Sequence, residues 1–158
     1  MDTGAPIATH TERQPMTISG TLLLAQWLSP SYPLGSFAYS HGLESAIAQG
    51  WVTDAASLRT WLEDVLGAGS GRADAILLQA AYRARTMAEL GDVDLTGRAF
   101  ATSHERRRES LHQGAAFART TGAVWGDELP DLLFPVAVGW ASARHNLPTT
   151  LATSMYLH

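Results

Sequence analysis

Two residue types are missing from this 158-residue chain. It has no cysteine, and because all eleven of its basic side chains are arginine it has no lysine either. Without cysteine there is no disulfide, no iron–sulfur cluster and no thiolate zinc site. Without lysine there is no Schiff-base chemistry and no phosphate-loop lysine. A GC-rich genome, which favours arginine codons, would by itself account for the lysine gap. Charge is scarce as well. Charged residues make up 16% of the chain and the net charge is −4, so nothing favours nucleic acid or an anionic membrane surface. No apolar run approaches the roughly 20 residues needed to cross a bilayer. The opening MDTGAPIATHTERQPMT, residues 1–17, lacks the basic and apolar regions of a signal peptide and reads as a flexible tail. A soluble, cytoplasmic protein is the expectation.

Apolar residues are plentiful, at 46%. A chain of this length fits one domain and can bury roughly 70% of its unfolded surface. Helical periodicity dominates. Over residues 18–29 the spacing puts Leu22, Leu23, Trp27 and Leu28 close to one stripe, and Pro30 stops the helix. Ser36 can cap a second helix running to about Gln49, with Gly50 in the C-terminal capping position and Tyr39, Leu43 and Ile47 along one face. Thr53 is the expected N-cap of a third helix with a core stripe of Leu58, Trp61, Leu62 and Val65. A fourth, over about 73–90, turns Ile76, Leu77, Ala80 and Ala84 inward. A long stretch from Leu95 to Ala123 breaks near Ser103. Pro130 and Pro135 then precede two last helices over about 135–145 and 149–158. No segment alternates as a strand and no repeat appears. The fold class is therefore all-α: a single-domain bundle of about six to eight helices over residues 18–158.

One stretch departs from plain amphipathic pattern, LSPSYPLGSFAYSHGLESA at residues 28–46. Pro30 ends the first helix, Pro33 stiffens the crossing, and Gly35 allows a tight turn. Gly42, placed inside the second helix, would cost up to about 1 kcal/mol relative to alanine, which suggests close approach by another backbone. Phe37, Tyr39, His41 and Glu44 are then presented for packing or for a partner. His41 and Glu44, three apart, share a face. A metal site of the bundle type needs further carboxylate–imidazole pairs on facing helices, and His104 with Glu105 is at the wrong spacing. In SHERRRESLHQG, residues 103–114, His104, Arg108 and His112 stack along one face. Glu105 can pair with Arg108, and Glu109 with Arg106. This reads as a solvated face or as a partner surface carrying Arg106 and Arg108. GAGSG at 67–71 follows no strand, and no nucleotide loop or nucleophile elbow is present.

The order LLxxWLSPSYPLGSFAYSHGLESAI…GWV resembles the signature of the urease accessory protein family UreF. The matching residues are Ser29, Pro30, Pro33, Gly35, Phe37, Tyr39, Ser40, Gly42, Leu43, Glu44, Gly50, Trp51 and Val52. The resemblance continues through RADAILLQAAYRA, ERRRESLHQGAAF and FPVAVGWASARHNLP, and so covers nearly all of the chain after the tail. It implies an all-α, non-catalytic adaptor that dimerises and joins a UreD/UreH-type accessory protein, a UreG-type GTPase and the urease apoprotein. Nickel is then handled by the complex, with no cofactor bound tightly to this chain. Pro30, Pro33, Gly35, Gly42, Gly50 and Trp51 carry the structural motif. Family chains run further, through another apolar helix and a VPLGQ-like stretch, whereas this one stops at MYLH, so a missing C-terminal part is expected. Two other readings stay open: an all-α metal-binding enzyme built around His41, Glu44, His104 and His112, and a generic helical interaction module.

Overall fold

The computed structural model describes residues 18–35, 42–126 and 128–158. Among them are eight α-helices and no strand: α1 (Ile18–Trp27), α2 (Leu43–Ala48), α3 (Ala55–Gly67), α4 (Ser70–Arg83), α5 (Met87–Ala99), α6 (His104–Trp125), α7 (Phe134–Arg144) and α8 (Thr149–Leu157). The all-α class and the breaks at Pro30, Ser103 and Pro135 agree with the sequence pattern. The tail over residues 1–17 lies outside the described residues, as do Ser36, Phe37, Tyr39, Ser40 and His41.

The centre is α7 lying against α4 and α6. Every residue of α7 from Phe134 to Ser142 is buried. Two glycines set how closely the backbones approach. A Cβ on Gly139 would fall on the Leu78 carbonyl oxygen of α4, and one on Gly114 of α6 would fall on the Leu132 carbonyl oxygen. Since α7 is apolar all round, its polar ends need partners from elsewhere. The Leu133 N–H donates to Asp94 Oδ1 of α5 (2.7 Å), and the Phe134 N–H donates to Ser110 Oγ of α6 (3.1 Å). Two distant side chains thus cap α7, and Pro135 in its first turn needs no donor partner.

Beside this slab sits an aromatic cluster. Trp27 of α1 is fully buried and meets Phe117, Trp125 and His145 edge-on at 5.3, 5.8 and 5.2 Å. The proline corner feeds the same region: Tyr32 and Leu34 are buried, while Pro30 and Pro33 stay at the surface. Gly35 has φ +70°, and a Cβ there would stand 3.2 Å from His112 Cε1, so the tight turn requires glycine. Leu22, expected inside, is 64% exposed. Leu24 takes its place, because the buried face of α1 is Leu24 and Trp27.

Gly42 is not inside a helix. It is the N-cap of α2 with φ +90°, and no described atom lies within 4 Å of where its Cβ would be. Backbone conformation, rather than close approach, is what calls for glycine here. Gly50 is where expected. With φ +74°, its N–H donates to the Ile47 carbonyl while the Trp51 N–H donates to the Ala46 carbonyl, the pair of bonds that closes a Schellman motif.

The third helix differs from expectation twice. Its N-cap is Asp54, not Thr53: Asp54 Oδ1 accepts from the Ser57 N–H (2.8 Å) and Ser57 Oγ accepts from the Asp54 N–H (3.0 Å). Asp54 is preferred because its carboxylate sits at the positive end of the helix, and the Ser57 N–H and hydroxyl, both donating to Oδ1, hold that carboxyl below its ordinary range. The stripe of Leu58, Trp61, Leu62 and Val65 does not enter the core; α3 has no buried residue. On α4 the inward residues are Leu78 and Ala81, while Ile76 is 58% exposed. That helix ends at Arg83, and Thr86 caps the separate α5.

Candidate functional site

The polar centre of the bundle is built from three helices. Asp74 is the one acidic residue of α4, and it stands on the inward stripe that continues as Leu77, Leu78 and Ala81. Arg106 Nη2 of α6 donates to Asp74 Oδ2, and the Tyr156 hydroxyl of α8 donates to the same oxygen at 2.9 Å. Arg106 Nη1 also lies 3.6 Å from Glu109 Oε2, and Glu109 Oε1 accepts from Gln113 Nε2 at 3.2 Å. The side chains of Arg106 and Asp74 are only 18% and 13% exposed. Burial acts to strip the Arg106 proton, but the Asp74 carboxylate, with Tyr156 and Glu109, outweighs it and raises the guanidinium above its usual range. Burial, reinforced by Asp74, also pushes the Tyr156 phenol well above its ordinary value. At neutral pH the arginine is therefore cationic and the phenol neutral. The cluster joins α4, α6 and α8.

A second polar group lies near the start of α7. Asp94 Oδ2 accepts from Arg98 Nε (2.6 Å) while its other oxygen caps α7, and Arg98 Nη2 donates to the Asp131 carbonyl (2.9 Å). Tyr82 donates to the Leu147 carbonyl at 2.8 Å, tying α4 to the α7–α8 connection.

The residues singled out from the sequence separate in space. Arg106 is in the interior cluster. Arg108, His104 and His112 are exposed on α6, and Glu44 is exposed in the first turn of α2. Trp51 is 65% exposed while its neighbour Val52 is buried at 7%. Phe37, Tyr39 and His41 fall outside the described residues. Among the described residues no three His, Asp or Glu side chains are gathered as a metal ion would require. Sequence reasoning missed Asp74, Asp94 and Tyr156. A signal existed for Asp74, a lone carboxylate in register with an apolar stripe.

Between α4, α5 and the starts of α6 and α7 is an open cleft of about 420 Å³. A second, wider one of about 630 Å³ lies beside α8 and the proline corner, and the Asp74–Arg106 pair borders both. No helix among the described residues is long and apolar enough to cross a membrane.

Fold and site together define an all-α bundle whose buried charged groups are engaged in holding its helices to one another. The chain belongs to the UreF family: residues 52–158 match that family. The urease accessory protein UreF of Roseobacter denitrificans is 46% identical over 149 residues, which is 94% of this chain and 67% of the relative. That of Ruegeria sp. TM1040 is 52% identical over 143 residues, 90% of this chain and 67% of the relative. That of Cereibacter sphaeroides KD131 is 52% identical over 137 residues, 87% of this chain and 64% of the relative. The chain thus spans about two thirds of the length of these relatives.

Proposed function

We propose that this chain is a urease accessory protein acting as a non-catalytic adaptor in the cytoplasm. In this reading it joins a UreG-type GTPase to a UreD/UreH-type partner and apo-urease, and it works as a homodimer. Nickel is the cargo of the assembly, and GTP hydrolysis takes place on the GTPase. The single observation that carries the reading is identity of 46–52% to relatives named urease accessory protein UreF, over 87–94% of this chain. The architecture is compatible with it. The buried ion pair of Asp74 and Arg106 ties α4 to α6, whereas apolar side chains such as Trp51, Leu95 and Phe100 are left at the surface, 65%, 65% and 81% exposed.

Co-expression with a UreD-type and a UreG-type partner, followed by size-exclusion chromatography, tests it. A complex containing this chain is the expected result. Absence of any complex, with and without nickel and GTP, contradicts the reading. So does full urease activity in cells from which the gene has been deleted.

A further inference from the structure

The 420 Å³ cleft is at the small end of ligand sites, which run from about 300 to 1,000 Å³. It has room for one or two side chains and not for a large cofactor. Its walls are apolar: Ala73, Ile76 and Leu77 of α4, Phe100 after α5, and Leu133 and Pro135 at the start of α7. Phe100 and Ile76 stand at its rim, 81% and 58% exposed. Exposing a phenylalanine and an isoleucine around one concavity is costly in water, and such features mark contact sites.

The electrostatics of the mouth are specific. Three helices begin beside it: Ser70 is the first residue of α4, Thr102 precedes the Ser103 cap of α6, and Leu133 is the N-cap of α7. The start of α4 presents the positive end of its dipole, whereas that of α7 is met by the Asp94 carboxylate and that of α6 carries Glu105 in its first turn. Two guanidiniums and one carboxylate line the cleft. Arg106 and Asp74 offset one another, which leaves Arg107. Its guanidinium makes one hydrogen bond among the described residues, a 3.3 Å contact with His104 Nδ1 that neutralises no charge. On a chain of net charge −4, an apolar concavity therefore carries a positive charge at its rim, that of Arg107.

We propose that this cleft seats an apolar side chain of a partner protein, of leucine or phenylalanine size, flanked in the partner's own sequence by acidic residues. The apolar walls supply burial and the positive rim supplies orientation and selectivity. The proposal stands on the cleft and not on the urease reading: the adaptor assignment can fail while peptide binding holds, and the reverse.

The test is a titration of the ¹⁵N-labelled chain with a synthetic peptide in which a Leu-Phe pair is flanked on both sides by glutamates. Saturable amide shifts are expected at Thr96, Gly97, Ala101, Thr102 and Arg107. A lysine-flanked version of the peptide should bind about tenfold more weakly or worse. Arg107→Glu should weaken the acidic peptide about tenfold, and Ala73→Trp, which fills the cleft from an exposed helix position, should abolish the shifts. Arg119→Glu makes the same charge change about 18 Å further along α6 and should leave affinity unaltered. Equal binding of the lysine peptide, equal loss with Arg119→Glu, shifts confined to other regions, or no saturable shift would each overturn the proposal. Amide spectra of the free variants establish that they are folded, and the Arg107/Arg119 pair decides the matter if Ala73→Trp does not fold.

Discussion

Helices α3 and α7 have comparable lengths, thirteen and eleven residues, and they use opposite means of support. The sequence of α3 carries the clear amphipathic pattern, with apolar residues at Leu58, Trp61, Leu62 and Val65, yet none of its residues is buried. The run FPVAVGWASAR of α7 has little sidedness and is buried from Phe134 to Ser142. α3 is closed by its own residues, through the Asp54–Ser57 capping box and the exposed Arg59–Glu63 pair at 2.8 Å. α7 closes its own C-terminus through Asn146 and Leu147 but takes its cover and its N-terminal caps, from Asp94 and Ser110, from other helices. An apolar stripe specifies which face of a helix seeks cover. It does not specify whether this chain provides the cover.

The largest effect that would sharpen this contrast is at the α7–α4 contact. Gly139→Leu places side-chain atoms on the Leu78 carbonyl and is expected to cost more than about 4 kcal/mol, enough to abolish a cooperative thermal melt by circular dichroism. Next is the interior ion pair. Arg106→Ala leaves the Asp74 carboxylate buried without its cation and should cost about 3 kcal/mol in urea denaturation. The double variant Asp74→Leu/Arg106→Met should recover only part of that loss, because it also takes partners from the Tyr156 hydroxyl and the Glu109 carboxylate; no recovery at all would show the pair to be more than a structural tie.

Smaller still is the alkaline response of the core. Burial pushes the Tyr32 phenol up to about 12; Thr121 pulls slightly the other way, its hydroxyl being committed to the Phe117 carbonyl. The neutral phenol favours folding fully below pH 10, and that contribution drains away as pH rises from about 10 to about 12, reaching about 1 kcal/mol by pH 11. Thermal melts at pH 8 and pH 11 should show the drop, and Tyr32→Phe should shrink it. Asp54→Ala is comparable or smaller: loss of the α3 cap should cost about 1 kcal/mol or less and appear as faster amide exchange in α3 with little change in α7.

Much of the fold was legible in the sequence because local chemistry dictates it. Pro30, Ser103 and Pro135 break or start helices for reasons contained in a few neighbouring residues, and Gly50 caps α2 for the same reason. Choices that depend on distant contacts were not legible. Whether Ile76 or Leu78 turns inward is decided by where α7 lies, and Gly42 required knowledge of a backbone angle. In the polar cluster Arg106 and Glu109, three apart, could be paired from sequence. Asp74 and Tyr156 are 82 positions apart, and nothing local links them. The exposed corner carrying Glu44 and Trp51 was legible as a special segment through its glycines and prolines.

Native-state hydrogen exchange, read residue by residue on the chain alone, tests the division between the α7-centred slab and α3 most directly. Amides of α7 and of the Gly114–Thr121 part of α6 should exchange only through global unfolding, with the denaturant dependence of the whole molecule. Amides of α3 should exchange through local opening at lower free energy and with little denaturant dependence. Protection of α3 equal to that of α7 would contradict the account, since a helix without a buried residue would then be as firmly held as the centre of the bundle.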